Sequence, residues 1–257
     1  MKILLVNKYL YRKGGAETYF IKLGEYLKSL GNEVEYFGMA DERNCVGNRV
    51  EAYTENIDFH KKSLKHITYP FKIIYSVNAR KQIRKVLSNF KPDVVHLNNF
   101  NYQLTPSIIY EIKKHNIPIV YTAHDVQLVC PNHKLKNDYT DGLCRKCDGG
   151  KYFECVKNNC VHSSKIRSIL GAVEAWYYKL CHTYKMIDLT VCPSEFMEKE
   201  ISRNDDINGR TVTMYNFIDE IKPLGAECEN YVLYFGRYSE EKGISNLVKA
   251  TKKLSNI

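Results

Sequence analysis

Residues 1–31 read MKILLVNKYLYRKGGAETYFIKLGEYLKSLG, and this stretch decides the fold. It opens with a short apolar run that is long enough for a buried strand, and a basic loop then leads to the pair Gly14-Gly15. From Ala16 onwards apolar residues recur on one helical face, and Gly31 follows where glycine commonly ends a helix. The residues of that face are Phe20, Leu23, Leu27 and Leu30. The stretch therefore predicts a strand, a glycine loop and a helix.

The Gly14-Gly15 loop has two interpretations. Two glycines let a backbone approach a ligand closely, and the free N–H groups at a helix start attract a phosphate or a polarised hydroxyl. A tight turn between strand and helix that binds nothing can have the same sequence. The residues by themselves leave both interpretations open.

The alternation of strand and helix continues along the chain. Short apolar runs predict further strands at residues 33–39, 94–97, 117–123, 189–192, 211–215 and 231–236. Helices are expected at residues 105–115 with Thr105 as N-cap, at 163–186, from Ser194 and from Gly243. Strands that alternate with helices predict an α/β fold in which a parallel sheet is covered by helices on both faces.

Length and composition exclude several classes of protein. A chain of 257 residues with 44% hydrophobic residues can bury a sizeable core. No apolar run approaches the roughly 20 residues that span a bilayer, and the N-terminus has a strand pattern and not that of a signal peptide. We therefore expect a cytoplasmic protein, in which the nine cysteines are reduced.

The net charge of +9 is concentrated in one segment. No acidic residue lies between Asp58 and Asp93, and this segment is expected to be helical on both sides of Pro70. Its basic residues are Lys61, Lys62, Lys65, Lys72, Arg80, Lys81, Arg84, Lys85 and Lys91. A basic amphipathic segment suits an anionic membrane surface, where each cation contributes about 1 kcal/mol. Nucleic acid and an ordinary solvated helix face are the alternatives.

Polar residues follow three of the predicted strands. They are Gly14-Gly15 after the first strand, Asn98-Asn99 after the strand at 94–97, and His124-Asp125 after the strand at 117–123. Ligands bind outside the carboxyl ends of the strands in open parallel sheets. These three polar ends in one sheet predict a binding site at that edge.

A cysteine-rich loop at residues 126–162 follows His124-Asp125. It contains Cys130, Cys144, Cys147, Cys155 and Cys160, and Cys144-x2-Cys147 is the tightest pair. Four thiolates at such spacing suit a tetrahedral structural zinc ion, and a loop of this length needs something to organise it. We take Cys144, Cys147, Cys155 and Cys160 as the ligands, with Cys130 as a substitute. Reduced free thiols are the alternative.

The tail of the chain supplies a further candidate site. Residues 231–236 predict a buried strand, and Arg237 and Lys242 flank the turn between this strand and the last helix. A guanidinium and an ammonium group in that position suit a diphosphate.

These motifs together resemble the retaining family 4 glycosyltransferases. The resemblance rests on MKILLVN with Gly-Gly, DVVH at 93–96, AHD at 123–125, the N-x-I-D turn at 216–219 and GRxxxEKG at 236–243. The motifs occur in the order of the family and run almost from end to end. The resemblance implies the GT-B architecture, in which two Rossmann-like domains face each other across a cleft.

The resemblance also implies roles for individual residues. Gly14 and Gly15 would lie against the donor phosphate or the acceptor, and Asn98 and Asp125 would contact substrate. His124 would lie beside the transferred sugar at the reaction centre. Arg237 and Lys242 would neutralise the leaving nucleotide diphosphate. The transfer itself would need no metal and would retain the anomeric configuration.

Two positions depart from the family pattern. His96-Leu97-Asn98 stands where many relatives have His-x-His, which leaves the acceptor contacts at this position open. Phe217 replaces the glycine that is common in the N-G-I-D turn.

The expected domain organisation follows from the resemblance. Residues 1–215 form a Rossmann-like acceptor-side domain, 216–230 a linker, and 231–257 the first strand and helix of an incomplete nucleotide-sugar-binding domain. Family members carry a Glu-x7-Glu pair that grips the donor sugar and ribose, and Ile257 precedes any such pair. We therefore expect either a fragment of a longer chain or a truncated gene product, which binds nucleotide sugar weakly and transfers it at a negligible rate.

The resemblance predicts an enzyme of cell-surface polysaccharide synthesis. It would transfer a sugar from a nucleotide-diphosphate sugar to a lipid-linked or saccharide acceptor, as a peripheral protein at the inner face of the membrane. A non-catalytic sugar- or nucleotide-binding module is a second class. A nucleic-acid-binding protein is a third, but the chain lacks a reading motif and its aromatic residues follow core periodicity, so no nucleic acid partner is expected.

Overall fold

The computed structural model describes residues 1–56, 69–137, 142–218, 231–236, 238 and 242–253, and for residues 69–71 it describes the backbone only. The chain divides into two compact units, Met1–Phe217 and Ile218–Ile257. The first unit contains the sheet and most of the predicted site residues. The second unit contains one described helix.

Six strands form one sheet in the first unit. They are β1 (Lys2–Val6), β2 (Glu33–Phe37), β3 (Val94–Leu97), β4 (Ile119–Thr122), β5 (Leu189–Cys192) and β6 (Thr211–Thr213). Every pair is parallel, and the strand order is β2-β1-β3-β4-β5-β6. The chain leaves β1 towards β2 on one side and returns to β3 on the other. This order places a switch point between β1 and β3, where open α/β sheets bind ligands.

Helices cover both faces of the sheet, which confirms the predicted Rossmann-like α/β fold. They are α1 (Gly15–Ser29), α2 (Tyr69–Ile74), α3 (Val77–Phe90), α4 (Ser107–Lys114), α5 (Phe153–Lys157), α6 (Lys165–Leu180), α7 (Glu195–Ile201) and α8 (Ile244–Thr251). Phe20 and Ile21 of α1 pack with Ile3 and Leu5 of β1 on one face. Residues of α3, α4, α6 and α7 form the core on the other face.

The first helix follows its prediction with one exception. Gly31 has φ +82°, the left-handed conformation expected after a helix. Phe20 is fully buried as predicted, but Leu30, which was predicted to belong to the same apolar face, is 61% exposed. Ile21, which is 2% exposed, contributes to the buried face instead. The packed stripe therefore ends one turn earlier than the sequence pattern indicates.

Three other predicted elements differ in the structure. Thr105 is not the N-cap of α4, because its φ is +57° and its hydroxyl accepts a hydrogen bond from the Ser76 N–H at 3.1 Å. The predicted helix at 163–186 is interrupted after α6, where His182 has φ +48°. A short 3₁₀ helix, Thr183–Met186, follows. Residues 231–236 are described and form no strand.

Part of the basic segment is committed to an internal ion pair. The carboxylate of Glu111 on α4 is 2% exposed and binds Arg80 at 2.9 Å and Arg84 at 2.6 Å, both on α3. These two arginines therefore hold α3 against α4 and are not an unpaired basic face. Lys72, Lys81, Lys85 and Lys91 are exposed, while Lys61, Lys62 and Lys65 lie outside the described residues. Among the helices that are described, none is long and apolar enough to cross a membrane.

Candidate functional site

The carboxyl ends of β1, β3 and β4 lie side by side, because Val6 pairs with Leu97 and Leu97 pairs with Tyr121. Asn7 follows β1 and is fully buried. Its Oδ1 accepts the Asn99 N–H at 3.0 Å, and its Nδ2 donates to the Tyr9 carbonyl at 2.7 Å. Asn7 thus joins the loops after β1 and β3 at the switch point.

His124 and Asn98 meet at this edge of the sheet. His124 Nε2 lies 2.9 Å from Oδ1 of Asn98, whose side chain is fully buried. With the Asn98 oxygen directed at it, Nε2 donates and Nδ1 keeps the lone pair, while the buried Asn98 Nδ2 has no hydrogen-bond partner among the described residues. Burial lowers the pKa of His124 to about 4, although the charge of Asp125 acts in the opposite direction. The site therefore presents a neutral, fixed imidazole at neutral pH.

Tyr19 on α1 supports the ring of His124. The sequence analysis did not identify Tyr19 as a site residue. The two rings are in edge-to-face contact, with centroids 5.4 Å apart and planes at 71°. The side chain of Tyr19 also hydrogen-bonds to Thr122, whose hydroxyl lies 2.7 Å from His96 Nε2. The feature of the sequence that could have identified Tyr19 is its position, because an aromatic residue there lies one helical turn after Gly15.

Asp125 makes its contacts within the loop that follows β4. Its Oδ1 accepts the Gln127 N–H at 2.9 Å, and its Oδ2 lies 3.3 Å from His133 Nδ1. Burial disfavours the charged form of His133, but the hydrogen bond and charge of Asp125 outweigh this and raise the pKa of His133. Asp125 therefore positions the loop next to His124, and its predicted contact with substrate stays a prediction.

A cluster of cations and aromatic rings lies at the end of β1. Lys8 Nζ is 4.6 Å from the ring centroid of Tyr102 and 5.0 Å from that of Tyr9. Lys13 Nζ is 3.7 Å from the centroid of Tyr9. The Lys8 N–H donates to the Asn99 carbonyl at 2.7 Å, which fixes this loop against the end of β3. Two ammonium groups held in this way suit an anionic group of a ligand.

The fold of the first unit gives no steric reason for glycine at position 15. Gly14 has φ −163° and ψ −167°, an extended conformation that any residue adopts, and no side chain caps α1. A Cβ added at Gly15 would meet nothing within 4 Å, whereas one at Gly14 would lie 3.3 Å from Glu17 Oε2. The loop beside the N-terminus of α1 is therefore open.

The two cationic residues predicted to bind diphosphate belong to the second unit. Lys242 is exposed and precedes Gly243, which has φ +72° and is the N-cap of α8. Arg237 lies outside the described residues. The predicted roles of both residues stay predictions.

The four cysteines predicted as metal ligands line a single cavity together with Cys130, the predicted substitute. Cys130 and Cys155 are buried, and Cys144, Cys147 and Cys160 are partly buried. Within the part of the chain that is described, no three histidine, cysteine, aspartate or glutamate side chains are arranged to hold a metal ion as they stand. The cysteines are thus brought together but are not in ligating positions.

The chain is similar to several known proteins. A curated relative, an uncharacterised 42.6 kDa protein in the cps region of Klebsiella pneumoniae, is 25% identical over 97% of this chain and 64% of its own length. Anabaena Alr3699/HepE in complex with UDP and glucose is 14% identical, with a TM-score of 0.45 over 85% of this chain and 45% of that chain.

Sucrose-phosphate synthase from Thermosynechococcus elongatus is also 14% identical, with a TM-score of 0.49 over 83% of this chain and 47% of that chain. This chain therefore spans less than two thirds of the curated relative and less than half of these solved chains. The family model described as Glycosyltransferase Family 4 matches residues 13–221, well over half of the sequence. The chain belongs to glycosyltransferase family 4.

Proposed function

We propose that the protein transfers a sugar from a nucleotide-diphosphate sugar to a lipid-linked or saccharide acceptor, with retention of anomeric configuration. The observation that carries this proposal is the position of His124, which Asn98 holds beside the switch point of the sheet in a chain that belongs to a glycosyltransferase family. The open loop at Gly15 and the cations Lys8 and Lys13 lie at the end of the adjacent strand, which supports binding of an anionic donor there.

The proposed reaction exchanges one bond at the anomeric carbon. The bond from that carbon to the diphosphate oxygen breaks, and a bond to the acceptor oxygen forms on the same face of the sugar. The acceptor proton passes to the departing diphosphate, so no metal is required for charge balance. His124 positions the sugar through its imidazole, and Arg237 and Lys242 stabilise the charge that develops on the diphosphate.

The proposed pathway is the synthesis of a cell-surface polysaccharide. The relative in the cps region of Klebsiella pneumoniae supports this assignment, because it matches nearly the whole of this chain. The eight described cysteines are all free, which fits a reducing compartment such as the cytoplasm.

The complete reading frame that contains this chain is the appropriate protein for the test. It is incubated with a panel of radiolabelled nucleotide sugars and a lipid-linked acceptor extract, and the anomeric configuration of the product is read by NMR. The proposal predicts transfer from one class of donor with the configuration retained. Donor binding without transfer to any acceptor would support the non-catalytic binding module, and an inverted product would refute the retaining mechanism.

Helix α6 supports a location at the membrane surface. It presents a solvent-exposed apolar stripe that consists of Ile166, Ile169, Val173, Trp176, Tyr177 and Leu180. The spacing of these residues keeps them within about one third of the helix circumference. Tyr75, which directly follows α2, contacts Tyr177 with ring centroids 6.2 Å apart, and Lys72 on α2 is exposed. An apolar stripe beside exposed lysines suits the surface of an anionic bilayer.

This location is tested by flotation with vesicles. Binding to vesicles that contain phosphatidylglycerol should exceed binding to neutral vesicles, should weaken as salt is added, and should fall in an Ile166→Ser, Leu180→Ser variant. Leu143→Ser is the matched control, because Leu143 is 51% exposed but lies outside α6. Equal binding to neutral and anionic vesicles, or a concentration-dependent dimer that involves the α6 stripe, would contradict a membrane role.

A further inference from the structure

Five cysteines from separate parts of the loop after β4 converge on one point. Cys130 lies near the start of the loop, Cys144 and Cys147 in its middle, Cys155 on α5, and Cys160 just after α5. All five line the same cavity, which has a volume of about 10 Å³. A space of this size matches one small sphere, such as a single ion.

Hydrogen-bond donors surround the sulfur atoms of this cluster. The backbone N–H groups of Asn132, Lys134 and Leu135 hydrogen-bond to the Cys130 sulfur. Asn137 Nδ2 donates to Cys144 Sγ at 3.2 Å. Sulfur ligands of metal ions are commonly held by outer contacts of this kind.

The thiols are close enough to reorganise around one ion. The side chains of Cys155 and Cys160 already hydrogen-bond to each other. A change of one cysteine rotamer moves its sulfur by about 3 Å without any movement of the backbone. Because all five thiols line one small cavity, a change of rotamer is the movement by which four of them would reach one ion.

The loop also needs an organising element. Its described part contains a single α-helix of five residues, α5, and a short 3₁₀ turn at Asp148–Gly150. The first part of the loop, residues 126–135, contributes buried side chains to the core. Its middle and end have only these short elements, and long loops of this kind are otherwise uncommon in compact domains. A metal ion bound to side chains from the beginning, middle and end of the loop would fix all three parts.

We propose that four of the five thiols of Cys130, Cys144, Cys147, Cys155 and Cys160 bind one structural zinc ion. Zinc prefers four thiolate ligands in a tetrahedral arrangement, with Zn–S distances of about 2.3 Å. The ion fixes the part of the loop that carries His133, and His133 pairs with Asp125 at 3.3 Å beside the candidate site. Zinc thus acts on that site through the position of the loop and takes no part in sugar transfer.

The test uses protein purified under reducing conditions. Elemental analysis should find about one zinc per chain, and replacement by Co²⁺ should give the intense visible absorption of a tetrahedral thiolate site. Single Cys→Ser variants at the five positions should lose the metal at four positions and keep it at the fifth. Cys192→Ser is the matched control, because Cys192 is buried in β5, away from the cavity, and this variant should keep the metal.

A second measurement covers variants that fail to fold. Removal of zinc from the unmodified protein with a strong chelator should lower the melting temperature, and added zinc should restore it. Substoichiometric metal with no Co²⁺ spectrum in the unmodified protein would overturn the proposal. So would a Cys144→Ser, Cys147→Ser variant that is folded and holds as much zinc as the unmodified protein.

Discussion

Replacement of Glu111 by glutamine tests how α3 is held to α4 beneath the sheet. The carboxylate of Glu111 is 2% exposed and accepts hydrogen bonds from Arg84 Nε at 2.6 Å, Arg84 Nη2 at 3.1 Å and Arg80 Nη2 at 2.9 Å. Glu111→Gln keeps the volume of the side chain but removes its charge. Arg80, which is only 18% exposed, then loses its anionic partner.

The size of the effect follows from the pKa of Glu111. Hydrogen bonds from Arg84, and then from Arg80, outweigh burial and lower this pKa from 4.5 to about 2. A shift of that size corresponds to about 3 kcal/mol of stability. Because the folded-state pKa is depressed, this stability is present above pH 4.5 and is lost as the pH falls towards 2. Loss of one partner of a buried ion pair typically costs about 3–5 kcal/mol. Arg84 is 54% exposed, so we expect the low end of that range.

Urea unfolding of the unmodified protein and Glu111→Gln measures the difference. We expect about 3 kcal/mol at pH 7 and less than half of that at pH 3, where most of the contribution of Glu111 has been lost. Glu25→Gln is the matched control, because Glu25 is 59% exposed and pairs with Arg12 at 3.7 Å. The control should change stability by less than about 0.5 kcal/mol. A loss below 1 kcal/mol for Glu111→Gln, or one that does not vary with pH, would refute the reasoning.

Three further predictions concern the candidate site and its loop. Gly15→Ala should leave the melting temperature unchanged or raise it, since a Cβ at this position meets nothing within 4 Å. The same variant should raise the KM for the donor. An unchanged KM would favour a turn that binds no ligand. Asp125→Asn should lower the pKa of His133 in an NMR titration, and an unchanged pKa would show that the pair does not form in solution. Burial raises the pKa of Glu174 to about 7, so the unmodified protein loses stability as the pH rises through this value. Between pH 5 and pH 8 the stability of Glu174→Gln should therefore rise by up to about 3 kcal/mol relative to that of the unmodified protein. An equal stability difference at both pH values would exclude this effect.

Local sequence patterns predicted the elements that depend on neighbouring residues. The apolar runs gave the strands at β1, β3 and β5, Gly31 ended α1, and Ser194 caps α7 through a hydrogen bond from the Met197 N–H at 3.2 Å. Hydrophobic periodicity, a positive φ and a side-chain cap all act within a few residues along the chain. For that reason the fold class could be predicted, together with the edge of the sheet at which the polar strand ends meet.

The failures arise where a distant residue decides the structure. Thr105 has the sequence signature of an N-cap, but its hydroxyl contacts Ser76, which lies 29 residues earlier. Arg80 and Arg84 resemble a free basic face, but both pair with Glu111 on the next helix. Residues 231–236 have the apolar composition of a strand, and a strand requires a partner, which the described residues do not provide.

The candidate site also combines features that neighbouring residues determine with features that distant residues determine. The polar strand ends with Asn98, His124 and Asp125 were predictable, since parallel strands bring their carboxyl ends to one edge. The contact of Tyr19 with His124 and the pairing of His133 with Asp125 depend on side-chain packing between separate elements. No pattern along the chain identifies either contact.

Sugar transfer by His124→Ala tests the central claim most directly. The turnover of this variant in the complete protein is compared with that of His115→Ala, whose exposed histidine lies at the C-terminal end of α4. Both variants should remain folded. We predict that His124→Ala lowers kcat by about 10²–10³, the loss typical of one fixed polar contact at a reaction centre, while His115→Ala keeps full activity. Full turnover by a folded His124→Ala variant would contradict the placement of the reaction at this edge of the sheet.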